Sequence, residues 1–583
     1  MSYLSAPYQL ARSPGQAERS GPLAFGHANI LRAVTVDDDQ TRDILAMVFA
    51  APPGPPRRVV DLVGVLLERH ESLRTRYRFK PIVTQHVAAT GELVVEVVEA
   101  GTDPFGTAVA TARRLRVRPF DFEAAPPLRA AVVTQDGVAQ YLVWVVSHVA
   151  MDAAACEILL REWTALASGR PLPPAGPQPL DVVELERTPP VRRLTSGATK
   201  YWASRMRHVP QAMFPLSARV TATRDDWHPG LRIRSRTAMT HLADIAARTS
   251  ASHSVIMLAA VNAIVCHYTG QSTCVTTSLS GNRVLRRLRD FFGSLSQDAL
   301  LSVPVPETGT FDELVRDVRA AALAAYRAGW FDPAEVWSAI TEASAQRGIC
   351  YARDLVFNDM SQLSSGADFV TASAQSRLPA VWLPGEDDLT VNESDVDASL
   401  RPQPAENIPC RLVVYVYRLD TELDVILHVD PACMDAGELA EFGRFLLRLL
   451  RAAAESDVPV KDLPALTTLT PLTYGEGWFL VDSCWVEIDA VRDLLAEVLG
   501  DRPHFVSVLP DQRIGHRVTC HLAGPADIED IHRRCVAALP GRVTVVAPHE
   551  YVVCAEVPPD PNGWATAPVI ARGDGRPAGS GLE

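Results

Sequence analysis

No run of about 18 apolar residues occurs in the 583-residue chain, so no membrane-spanning helix is expected. The N-terminus, MSYLSAPYQLARSPGQAERSG, lacks the charged-then-apolar pattern of a secretory leader, and a cytoplasmic protein is expected. None of the ten cysteines forms a CxxC pair or sits at zinc-ligand spacing from a histidine, so no metal site is expected. Scattered from Cys156 to Cys554, they read as reduced thiols, with Cys156, Cys266 and Cys433 as small core residues. A surplus of positive charge is also missing. The net charge of −13 weighs against nucleic acid and against anionic membranes as partners.

What is present is ordinary globular composition, 47% apolar and 21% charged, on a chain long enough for roughly two to four domains. Two local basic clusters stand out: Arg113, Arg114, Arg116 and Arg118, then Arg283, Arg286, Arg287 and Arg289. They read as solvated faces with local ion pairs or as docking points for an acidic partner.

The most informative stretch is QYLVWVVSHVAMDAAACEILLREWTALASG, from Gln140 to Gly169. Tyr141 to Val146 form a continuous apolar run rich in β-branched and aromatic residues, which suits a strand buried on both faces. After Asp152 the pattern turns helical, with Cys156, Leu159, Leu160 and Trp163 on one stripe. Polar residues at such a junction are fixed by the strand and exposed by the loop. Each also has a plainer explanation: Asp152 as a helix N-cap, and His148 as a hydrogen-bonded core residue.

The heptad Ser147-His148-Val149-Ala150-Met151-Asp152-Ala153 resembles the HHxxxDG signature of nonribosomal peptide synthetase condensation domains, with Ser147 for the first His and Ala153 for the Gly. Arg69-His70-Glu71-Ser72-Leu73-Arg74-Thr75-Arg76-Tyr77 resembles the RHExLRTxF motif of that family, at the end of an amphipathic helix. VRPFDFEAAPPLRAAVV resembles its PFDL…PLLR segment. A Pro-rich connection follows at Arg170–Leu180. TKYWASRM, the helices in 239–270, CVTTSLSGNR, FFGSLSQDALLSVPV, the helix from Phe311, LVFNDM, the hairpin turning at Asp420–Glu422 and the helix from Ala436 then resemble its C-terminal half in order. The resemblance covers roughly residues 20–455. It implies an α/β fold with mixed sheets: two chloramphenicol-acetyltransferase-like lobes in a V-shape, with the active site in a tunnel between them. The expected organisation is a disordered 1–20, lobes at 21–180 and 181–462, a small α+β domain at 473–570 and a disordered tail at 571–583.

That last domain resembles the C-terminal subdomain of adenylation domains. Its Pro559-Asp560-Pro561-Asn562-Gly563 is similar to the PxTPNGK segment, but Trp564 stands where a Lys would grip an adenylate. No Gly-rich phosphate loop occurs in the chain. A degenerate module for scaffolding or partner binding is expected.

The resemblance implies a freestanding condensation enzyme in natural-product biosynthesis. It would join an acyl thioester, carried on the phosphopantetheine arm of an acyl or peptidyl carrier protein in trans, to a small-molecule amine or alcohol. No GxDS-type attachment segment is seen in the chain, and no cofactor of its own is expected. His148 is the expected base, because imidazole titrates near neutrality. Ser147 is the second catalytic candidate, although neighbours on a strand point to opposite faces, and fungal terminal condensation-like domains with an SHxxxD pattern are active. Asp152 is implied to be structural, paired with Arg283 first and Arg74 second. The alternatives are a CoA-dependent HxxxD acyltransferase and an inactive, condensation-like recruitment module.

Overall fold

Each of three apolar cores is built on its own sheet in the computed structural model, which describes residues 3–10, 18–36, 43–217, 228–361, 398–406 and 408–576. The first sheet takes β1 (Tyr3–Leu10), β2 (Ile44–Ala50), β3 (Gly91–Glu99), β4 (Leu128–Gln135) and β5 (Val138–Ser147) in the order β1-β3-β4-β5-β2. Only β3 and β4 run parallel. Strand β5 lies between β4 and β2, which is why its side chains from Leu142 to Val146 are all buried. Helices α1 (Phe25–Val36), α2 (Pro56–Arg69), α3 (Pro104–Arg116) and α4 (Ala153–Ala167) complete this lobe.

The N-terminus corrects one expectation. Residues Tyr3–Leu10 are not loose but pair antiparallel with β3 along its length, from Tyr3 on Val98 to Leu10 on Gly91. Pro7 is tolerated because β1 is an edge strand. Gly64 of α2 leaves room for the Tyr8 ring, which a Cβ there would strike at 2.0 Å. Residues 11–17 lie outside the described residues.

Helices α5 (Pro179–Glu186) and α6 (Pro189–Met206) lead into the second lobe. The Pro–Pro pair at its first positions starts α6 ten residues before the TKYWASRM segment. The second sheet holds β6 (His228–Ser235), β7 (Thr273–Ser280), β8 (Gln297–Pro304), β9 (Leu355–Asp359), β10 (Ala398–Glu406), β11 (Leu412–Leu419) and β12 (Leu423–Val429) in the order β8-β7-β9-β11-β12-β6-β10. It is mixed too, parallel at β7/β9 and β9/β11. Helices α7 (Thr237–Thr249), α8 (His253–Thr269), α9 (Phe311–Arg327), α10 (Pro333–Arg347) and α11 (Ala436–Glu455) accompany it. Gly270 ends α8 at φ 65°, a left-handed cap. Among the described residues no single helix is long and apolar enough to cross a membrane; α7 and α8 together pass on composition but are bent by 98°. All ten cysteines are free.

The C-terminal module has its own hairpin, β13 (Trp478–Val481) with β14 (Cys484–Glu487), then α12 (Ile488–Leu499) and α13 (Ile528–Ala537). Its sheet runs β15 (His504–Asp511), β16 (Gly515–Ala523), β17 (Glu550–Cys554), β18 (Val569–Gly573), in that order. Its core is shared: Ile349 of the second lobe is buried in it, with Cys350 and Tyr351 packed alongside. Buried Arg347 clamps the two together. It pairs with Asp482 at 2.7 Å and donates to the carbonyls of Met206, Val209 and Asp482 at 3.0, 2.6 and 2.7 Å. Against the expected disorder from 571, β18 extends to Gly573 and Arg576 is buried, donating to the Gln346 carbonyl at 2.6 Å. Residues 577–583 lie outside the described residues.

Candidate active site

Strand β5 delivers Ser147 to the edge of the first core, and the chain then turns tightly. Ala150 N donates to Ser147 O at 3.0 Å, and Met151 N donates to His148 O at 3.3 Å. The His148 amide is tied to Asp43 O at 2.7 Å, and Val149, Ala150 and Met151 are fully buried. The backbone of His148 is therefore fixed on both sides. Its side chain is half-buried, and Nδ1 is enclosed without a hydrogen-bond partner among the described residues.

Asp152 has the opposite character: it is fully buried and saturated. As N-cap of α4 its Oδ1 accepts from Ala155 N at 3.0 Å. The same carboxylate takes a bidentate fork from Arg283, at 2.7 Å on Oδ2 and 2.8 Å on Oδ1. Leu295 N at 2.9 Å and Ser296 Oγ at 3.3 Å also donate to Oδ2. The cap and the ion pair are thus two functions of one side chain. Burial alone would push the Asp152 carboxyl up, but the Arg283 charge and these hydrogen bonds hold it below the usual range.

Arg283 stands between β7 and β8, on the segment 281–296 of the second lobe, and also donates to the carbonyls of Gly281, Phe291 and Gly293. That segment is sewn to the first lobe at further points. Ser72 Oγ donates to Phe292 O at 2.7 Å, and the His70 ring stacks on Phe292 at 4.0 Å. Ser294 N donates to His27 Nε2 at 3.3 Å. Gly26 permits this approach, because a Cβ there would lie 2.3 Å from Ser294 O and 2.5 Å from Leu295 Cα. Behind the segment, Asn282 at φ 49° donates through Nδ2 to Leu295 O and Gly329 O, both at 2.9 Å.

The Arg69–Tyr77 motif acts as a brace. Glu162 of α4 receives Arg69 Nε at 3.0 Å and lies 2.6 Å from His70 Nε2. Burial would raise this carboxyl, but His70 and Arg69 hold it low. Arg69 also donates to Pro173 O at 2.7 Å, which pins the Pro-rich connection.

Of the expected partners of Asp152, then, Arg283 is in place and Arg74 is not. Arg74 donates to the Ala88 carbonyl and lies 3.9 Å from Glu71, because the single 3₁₀ turn Glu71–Arg74 leads it toward the Thr84–Val87 strand rather than toward α4. Ser147 is also placed differently from a nucleophile. Its hydroxyl is buried and accepts from Val149 N at 3.3 Å, and it makes no hydrogen bond to His148. His27, Phe292 and Asn282 were missed as site residues. Asn282 and Phe292 lie in segments that resemble the family, but their roles, like that of His27, acquire meaning only when the second lobe folds back on the first.

In the C-terminal module, Trp564 is buried with Val552 and Cys554 and packed by Phe505 and Ala567. It is a core side chain.

Comparison with known proteins agrees with this layout. The family model described as "Condensation domain" matches residues 46–379. Chondramide synthase of Chondromyces crocatus is 24% identical over 470 residues, which are 78% of this chain and 11% of that protein. Bacitracin synthase 1 of Bacillus licheniformis is 25% identical over 465 residues, 77% of this chain and 8% of that protein. The chain therefore spans about a tenth of the length of these relatives. Among solved structures, a mutant starter condensation domain of rhizomide synthetase, in complex with C8-CoA and Leu-SNAC, matches with TM-score 0.56 at 14% identity. The match covers 76% of this chain and 96% of that one. A four-domain nonribosomal peptide synthetase bound to AMP and glycine matches with TM-score 0.61 at 11% identity, covering 85% of this chain and 37% of that one. The X-domain from teicoplanin biosynthesis gives TM-score 0.57 at 18% identity, with 74% and 95% covered. At these identities the structural likenesses establish the fold.

Proposed function

Because this chain belongs to the condensation domain family, we propose that it joins an acyl group, delivered as a carrier-protein thioester, to an amine or alcohol acceptor. The carrier protein comes in trans, and the reaction serves natural-product biosynthesis. The observation that carries this reading is the division of labour at the β5–α4 junction. Asp152 is spent on Arg283 and the backbone, while the His148 backbone is held on both sides and its imidazole has no hydrogen-bond partner among the described residues.

The acceptor's lone pair attacks the thioester carbonyl, and His148 takes the proton that the nucleophile must lose as the bond forms. Collapse of the tetrahedral intermediate breaks the carbon–sulfur bond, and the phosphopantetheine thiolate leaves and is protonated. For an amine acceptor much of the acceleration comes from holding the reactants together. For an alcohol the base matters more, because a hydroxyl proton is far less acidic. Ser147 supports the turn that fixes His148. The C-terminal module, resembling an adenylation subdomain without its lysine, serves as a scaffold.

The test is intact-mass analysis of a loaded carrier protein, incubated with the enzyme and a panel of amines and alcohols. Transfer of the acyl group to an acceptor supports the reading. Transfer only from acyl-CoA, with none from the carrier, replaces it with a CoA-dependent acyltransferase.

A further inference from the structure

The segment that seals Asp152 has an outer side with a chemistry of its own. Leu288, Phe291 and Phe292 point inward and are 1%, 0% and 2% exposed, and Leu285 packs against the same cluster as Leu288 and Phe291. A single turn at Arg286–Leu288, closed by Leu288 N on Leu285 O at 2.8 Å, lies between these anchors. Around that turn, the side chains between the anchors point outward. Val284 is 78% exposed, and Arg286, Arg287 and Arg289 are all exposed.

Among the described residues none of these three guanidinium groups has an ion pair or a side-chain hydrogen bond. The adjacent carboxylate, Asp290, is already taken by Arg161 at 3.1 Å. On α6, Arg192 and Arg193 are also exposed, and Val191 beside them is buried in the same cluster as Leu288. Like charges on a firmly anchored turn repel one another, and among the described residues no carboxylate pairs with them. The rest of the molecule makes the patch more distinctive, because a chain of net charge −13 repels an acidic partner over most of its surface.

We propose that Arg286, Arg287 and Arg289, with Val284, form the docking surface for an acidic carrier protein that presents its thioester to His148. This rests on the carrier-dependent reading given above. Guanidinium forks suit surface carboxylates, and Val284 offers an apolar contact that docking would dry. The placement fits as well: the segment that displays the cations also supplies Arg283, Leu295 and Ser296 to Asp152, four residues from His148.

The test is the triple variant Arg286→Glu, Arg287→Glu, Arg289→Glu. Its kcat/KM is measured with one acyl group presented on an acidic holo-carrier protein and, separately, as the N-acetylcysteamine thioester. The proposal expects a loss of about tenfold or more with the carrier, a change within about twofold with the small thioester, and a weaker salt dependence. Unchanged carrier kinetics would overturn it. So would an equal loss with both donors, which would place the effect on the Asp152 segment instead of on docking. If the wild-type enzyme turns over neither donor, the reaction reading fails. The surface is then decided by fluorescence anisotropy of the labelled holo-carrier at low salt: binding lost only in the variant upholds it, and equal or absent binding refutes it.

Discussion

Asp152 of the first lobe and Arg283 of the second meet as a bidentate pair, with both guanidinium Nη atoms on both carboxylate oxygens at 2.7 and 2.8 Å. The carboxylate is fully buried and the contact joins the two lobes beside the candidate base. Arg283→Ala should destabilise the protein by about 3–5 kcal/mol, the usual consequence of stranding one buried charge. The sign with pH should invert too. With Arg283 present, the depressed Asp152 pKa contributes stability above the unfolded value of about 3.9, lost as pH falls through the folded value. Without Arg283, burial dominates, and mild acid should stabilise the variant relative to neutral pH. Thermal unfolding from pH 3 to pH 8 measures both effects.

Glu186 is a second buried carboxyl at the lobe junction, accepting from Phe25 N at 3.1 Å and from Trp330 Nε1 at 3.4 Å. Burial pushes it up to about 8, against the partial relief of these two donors. A carboxyl whose folded pKa is raised contributes stability at low pH that drains away as pH rises from about 4.3, the unfolded value, toward the folded value. Glu186→Gln should therefore raise the melting temperature at pH 8.5 and leave it nearly unchanged at pH 5. An equal effect at both pH values would contradict the assignment.

The Ser147 hydroxyl supports Val149 N and does not touch His148. Ser147→Ala should retain activity within about tenfold, since one local hydrogen bond is worth about 1 kcal/mol. Complete loss of acyl transfer in a variant of unchanged melting temperature would restore the nucleophilic role.

The C-terminal module is fixed to the second lobe by Arg347, which is nearly buried and bonded to Asp482 and three carbonyls. Arg347→Ala should speed limited proteolysis of the connection between residues 467 and 477 by about tenfold or more, which needs only about 1.4 kcal/mol of lost docking. An unchanged cleavage rate would show that the shared core around Ile349 suffices.

What was legible in the sequence follows a physical line. The apolar run before Ser147 and the capping position of Asp152 are local patterns, and the structure keeps both. Arg283 as the partner of Asp152 came from resemblance, since no local rule joins residues 131 positions apart. The edge strand Tyr3–Leu10, within a stretch expected to be disordered, was hidden because its pairing with β3 and the room left by Gly64 are tertiary facts. His27 and Phe292 were hidden for the same reason: each acts through a contact across the lobes. Arg74 misled because a motif can place a cation near a site in sequence while the chain turns it toward Ala88.

The central claim is that His148 performs the proton transfer at a carrier-loaded thioester. Its most direct test is His148→Ala in the intact-mass assay with loaded carrier protein, with melting temperature as the control for folding. A fall in the acyl-transfer rate of at least about a hundredfold, with unchanged melting temperature, is the predicted result. Transfer at the wild-type rate would contradict the account and leave the β5–α4 junction a structural joint.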